Sequence, residues 1–222
     1  MAASGSLGRN NKVWLIPLLV LAGLGVSVWQ PYGLSDLIQW GRLISDMPLV
    51  IAGILLLMVI LFSFGLPASF GLWLIAPFQP PLVSTMLLVS ASVLGALGAY
   101  LVSRRLRGDW TPEGFSGKVV DLLEQRSDWA TQTALRILPG FPHSVINFAG
   151  GLLLLPLTVF LISATVGLTV KWAVYASAVY GLVDAVESGQ QIQPSVIVPL
   201  IALSGLLVTG AWWRTRLAAK ID

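Results

Sequence analysis

The feature that most limits this chain is a proline cluster inside an apolar run. From Arg136 to Pro156 the residues are mostly apolar, yet Pro139, Gly140 and Pro142 fall together near the start. Each proline removes a backbone donor and biases the preceding residue away from helix, so a straight helix cannot pass. At membrane depth, freed backbone groups are tolerated only where they are buried in protein or line a wet cavity. The run therefore predicts a re-entrant hairpin over 136–156, with Arg136, His143, Ser144 and Asn147 around its tip and Gly150 and Gly151 beyond the break.

The break occurs twice. Gly65, Pro67 and Ser69 match Gly140, Pro142 and Ser144 at an offset of 75 residues, and the same ungapped register pairs Pro81 with Pro156 and Tyr100 with Tyr175. This predicts an internal repeat, a second hairpin over 48–80 broken at Gly65 and Pro67, and a full span after each hairpin. The spans fall at 82–102, where Ala91, Gly95, Gly98 and Ala99 form a small-residue face, and at 157–181. Small faces let helix backbones approach closely in lipid.

Composition places the whole chain in a membrane. Of 222 residues 56% are hydrophobic and 10% charged, with a mean hydropathy of +0.84. The expected class is an all-α integral membrane protein, an inverted repeat of re-entrant hairpin plus transmembrane helix, flanked by spans at 13–29 and 195–213. An uncleaved first span is favoured over a signal peptide because Gln30-Pro31-Tyr32 lacks a small-residue cleavage pattern. Residues 103–135 hold most of the remaining charge, and Phe115, Val119, Leu122 and Trp129 recur near helical spacing, which suggests a cytoplasmic or interfacial helix. A short loop with Asp184 and Glu187 is expected after 181.

Lysine and arginine counts orient the chain. There are two before residue 13, one in 30–47, six in 103–136, none in 183–195 and three in the tail. If each hairpin returns to its own side, both termini are cytoplasmic and successive repeat units are inverted. In that plan two broken segments meet near the midplane at a substrate site.

The chemistry available is narrow. With no cysteine and one histidine, no zinc or other metal site and no cofactor is expected. The net charge of +3 is too small to imply a nucleic-acid partner. Ser69 with His143 is the one Ser-His pair worth weighing, but no nucleophile elbow or oxyanion loop accompanies it, so no enzyme is expected. None of the ten acids falls inside an apolar segment, whereas Arg136, His143 and Lys171 do, and cations without intramembrane acids suggest an anionic ligand. A phosphate fits a guanidinium bidentately and the free N–H groups of a half-helix starting near Ser144. The plain alternatives are an interfacial anchor for Arg136 and a snorkelling or carbonyl-bonding Lys171.

The Arg-x-x-Pro-x-x-Pro hairpin with its following Asn147 and Gly150-Gly151, the downstream Gly167 and the earlier Gly-x-Pro hairpin resemble the DedA and VTT-domain membrane proteins, also called SNARE-associated Golgi proteins, over roughly residues 45 to 180. The resemblance implies translocation of polar lipids: undecaprenyl phosphate and related lipids across the bacterial inner membrane, phospholipid scrambling in eukaryotic relatives. It implies membrane lipids as the partner, by flippase or scramblase action, and is compatible with a homo-oligomer. Gly65 to Gln79 contains no acid, a departure from proton-coupled DedA members that places the chain nearer the VTT branch. A membrane organiser without transport and an ion-coupled small-molecule transporter are the alternatives.

Overall fold

The computed structural model describes residues 34–45, 47–106, 113–188 and 194–219. The expected span at 13–29 lies outside them. The chain divides into two units, Met1–Trp40 and Gly41–Asp222, and the second carries both breaks. All regular structure among the described residues is helical, as an integral membrane protein with this composition requires. The helices are α1 (Leu34–Ser45), α2 (Pro48–Ser63), α3 (Phe70–Ile75), α4 (Pro81–Arg105), α5 (Gly114–Gln125), α6 (Trp129–Ile137), α7 (His143–Leu152), α8 (Leu157–Ser188) and α9 (Pro194–Ala219). Among the described residues three segments are long and apolar enough to cross a membrane: Pro81–Arg105, Leu157–Ser188 and Val196–Leu217.

Helix α2 ends because Gly65 adopts φ +73, a left-handed conformation costly for other residues. The Leu66 N–H then reaches back to the Leu61 carbonyl at 2.9 Å and the Gly65 N–H to Phe62 at 3.1 Å, the bonds of a Schellman stop. At the repeat-related position Gly140 takes φ +89. Each left-handed glycine is followed by a short helix, α3 or α7, and then by a long one opened by Pro81 or preceded by Pro156. Helix α3 folds back on α2, with Gly71 against Met58.

Two buried clusters hold most of the core. Met58, Phe62, Leu72, Leu88, Leu168 and Trp172 join α2, α3, α4 and α8. Val119, Leu123, Leu135, Phe141 and Ile146 join α5, α6 and α7, with Trp213 of α9 packed on them. Gly95 and Gly98 of the small-residue face lie against Phe62 and Ser63 of α2, where an added Cβ would collide. Helix α9 is mostly exposed, with 11% of its apolar stretch buried against the rest of the chain.

Three expectations are corrected. The helix at Leu157 runs to Ser188, so Asp184 and Glu187 lie on its last turns and Glu187 accepts from Arg42 Nε at 3.0 Å. The single interfacial helix is two, because Asp128 caps α6 by accepting from the Thr131 N–H at 2.9 Å, which holds its carboxyl below the usual range. The arm leading to the second break is therefore α6, starting at Trp129 and not at Arg136.

Candidate functional site between the two breaks

Helix α7 starts at His143 and places Asn147 one turn later on the same face. This face meets the first break. His143 and Asn147 line a cavity of about 10 Å³ together with Ser69, Phe62, Ser92, Leu168 and Trp172, roughly the room one water needs. Trp172 Nε1 donates to Ser92 Oγ at 3.0 Å, which fixes the indole as one wall.

Lys171 is 9% exposed and its Nζ meets His143 Nε2. An ammonium can only donate, so this contact needs a neutral imidazole with its proton on Nδ1. The same Nζ lies 5.3 Å from the Trp172 ring centre and 5.8 Å from that of Tyr175. Lys171 thus reaches into the protein and does not snorkel.

Arg136 is more extreme. It sits on the last turn of α6, is 1% exposed, and none of its three guanidinium nitrogens has a hydrogen-bond partner. Gly167 of α8 allows this depth, since a Cβ there would fall 2.8 Å from Arg136 Cβ and 2.9 Å from the Thr133 carbonyl. The guanidinium lies over Phe160, 4.5 Å from the ring centre. Such a stack is worth about 2 kcal/mol when desolvated, whereas burying an ion costs several. The neighbouring side chain Gln132 is turned to other partners: its Oε1 accepts from Ser163 Oγ at 3.2 Å and its Nε2 donates to the Ser127 carbonyl at 2.8 Å. The salt bridge from Arg42 to Glu187 lies elsewhere, and no acid among the described residues pairs with Arg136.

The residues singled out from the sequence separate into groups. His143, Asn147 and Ser69 share the cavity and Lys171 joins them through His143, while Ser144 is half-buried and does not line it. Arg136 is not at a hairpin mouth; it is enclosed beside the cavity, between α6 and α8. Gly150 and Gly151 are not breaks either. They lie inside α7, where Gly150 makes room for the Phe160 ring and Gly151 for the Tyr100 carbonyl and Ser103 Oγ of α4. Pro67, Pro139 and Pro142 fall in the non-helical links, as helix-breaking residues should. Phe160, Trp172 and Ser92 carry no motif; they matter because they touch the cations or wall the cavity.

Two buried cations thus lie close to a hydroxyl- and amide-lined cavity with no carboxylate partner among the described residues. No group of three potential metal ligands occurs among the described residues.

Comparison with known proteins points to the same region. The profile of the VTT domain matches residues 49–181, more than half of the chain and a span containing both breaks, Arg136, His143 and Lys171. A "Transmembrane protein 41 homolog" from Caenorhabditis elegans is 26% identical over 199 residues, covering 77% of this chain and 80% of its own. No solved structure matches.

Proposed function

The chain belongs to the VTT domain family, membrane proteins linked to lipid handling, and on that premise we propose that it moves a polar, phosphate-bearing lipid across the bilayer, as a flippase or scramblase, through the region where its two helix breaks meet. The observation that carries this reading is the unpartnered guanidinium of Arg136. A buried polar group without a partner requires an explanation, and a phosphate that arrives with the substrate supplies one. Lys171 and His143 offer a second point of attachment, and Ser69 and Asn147 offer neutral hydrogen bonds. The acyl chains stay in lipid while the headgroup passes the breaks. A purely organising role leaves Arg136 unexplained, and a Ser-His dyad is disfavoured because His143 Nε2 already engages Lys171.

On this reading each break is the tip of a re-entrant hairpin, the first entering from outside and the second from inside, and both termini are cytoplasmic. Arginine placement supports it, since Arg104 and Arg105 end α4 while Arg214 and Arg216 lie near the end of α9. Cysteines placed at Gln190 and near Arg105 test the topology in intact cells. The first should react with an impermeant reagent and the second should not; outside labelling near Arg105 would overturn the arrangement.

Translocation is tested in proteoliposomes carrying a phospholipid with a fluorescent acyl chain, extracted from the outer leaflet by albumin. Wild type should bring inner-leaflet lipid within reach of albumin, and Lys171→Ala should slow this several-fold, because one of two cationic contacts is gone. Unchanged rates in Lys171→Ala would remove the His143–Lys171 pair from the path.

A further inference from the structure

Apart from the buried cations, the strongest unassigned feature is an open crevice of about 1110 Å³ between α5 and the last turns of α9. Its walls include Lys118 and Arg126 from the α5 side and Trp212, Trp213 and Arg216 from α9, with Asp121 as the one lining acid. Arg126 and Arg216 against the one acid leave it positive. We propose that this crevice binds the headgroup of an anionic phospholipid from the surrounding leaflet, at a site separate from Arg136.

Depth, charge and shape favour that occupant. Tryptophans paired with flanking arginines sit at headgroup level in membrane proteins. The Arg216 guanidinium lies 4.6 Å from the centre of the Trp212 ring, while Trp212 itself is exposed, so an indole and a cation present one surface to the leaflet. Thr215 Oγ donates to the Trp212 carbonyl at 2.7 Å and completes its own bonding within the helix. Near an anionic surface each basic residue strengthens binding by roughly fivefold, so Arg126 and Arg216 make an anionic headgroup preferred over a zwitterionic one. The crevice also shares a wall with the second break. Phe141 of the break lies 6.4 Å, edge-on, from Trp213, and 5.7 Å from Phe115 of α5, so a bound headgroup lies next to the aromatic contacts that hold this turn.

The test is a titration of the purified full-length protein in mild detergent with fluorescent phosphatidylglycerol, and with phosphatidylcholine as the zwitterionic control. Combined Lys118→Gln, Arg126→Gln and Arg216→Gln should raise Kd for phosphatidylglycerol at least tenfold. Arg104→Gln with Arg105→Gln, equally basic and exposed at the end of α4, should leave it unchanged. Phosphatidylcholine should bind more weakly, and inorganic phosphate should not compete, because it lacks the anchoring chains. In an Arg136→Met background, which takes the translocation path out of the titration, the same three substitutions should still raise Kd at least tenfold, which separates failure of this site from failure of that path. Undiminished binding by the triple variant, equal affinity for phosphatidylcholine, or displacement by inorganic phosphate would each overturn the proposal. Should the triple variant not fold, Asp121→Asn decides: tighter binding upholds the site, and an unchanged Kd refutes it.

Discussion

Replacing Arg136 with methionine should make the protein more stable and abolish lipid movement. The two effects have one cause. The guanidinium is buried without a hydrogen bond, and its stack on Phe160 offsets only part of its desolvation. Replacing buried ions by apolar groups of similar volume is often stabilising by about 1–4 kcal/mol, so Arg136→Met should raise the thermal midpoint in detergent. Methionine also fits irregular space, which limits any packing loss. Translocation should fall by at least an order of magnitude, since the phosphate loses its bidentate partner. Arg136→Lys should lose most activity too, because an ammonium keeps the charge but not the planar fork. A destabilised Arg136→Met would mean that the guanidinium supports the fold, and wild-type transport by either variant would reject the phosphate role.

The second large effect is on packing. Gly151 of α7 faces the backbone of α4, where an added Cβ would strike the Tyr100 carbonyl and Ser103 Oγ and lie 2.9 Å from the Arg104 nitrogen. Backbone cannot rotate out of the way as a side chain can. Gly151→Ala should therefore push α7 from α4 and cost about 1–3 kcal/mol, although alanine favours helix over glycine by roughly 1 kcal/mol. Gly205 of α9 is the control, since nothing lies within 4 Å of its added Cβ. Gly205→Ala should be neutral or slightly stabilising, and thermal unfolding of the two variants side by side checks both. Because α7 also carries His143 and Asn147, Gly151→Ala should lower translocation with stability.

What could be read in advance depended on whether the cause was local. Gly65 and Gly140 stand out because a left-handed turn needs glycine, and that need is visible in five residues of sequence. The all-helical membrane class follows equally directly from long apolar runs. Helix α6 was hidden because Thr131, Gln132 and Thr133 interrupt its apolar pattern; Gln132 and Thr133 are buried all the same, with the Gln132 amide satisfied by the Ser127 carbonyl. Arg136 was visible as a charge in an apolar run, but its enclosure was not. That depends on Gly167 and Phe160, which only tertiary packing brings to it. Likewise, Gly150 and Gly151 read as part of a break from composition, since a glycine pair looks the same whether it ends a helix or lets two helices touch. The acids at Asp184 and Glu187 suggested a loop, yet α8 continues through them and Glu187 accepts from Arg42.

The central claim, that this chain moves phospholipid headgroups through the meeting point of its two breaks, is tested most directly in vesicles symmetrically labelled with a headgroup-fluorescent phospholipid and exposed to a membrane-impermeant reductant. Wild-type protein should let the reductant bleach nearly all the label, while Arg136→Met at equal reconstitution should leave the inner-leaflet share protected. Protection of the inner leaflet with wild-type protein, or equal bleaching with both proteins, would contradict it.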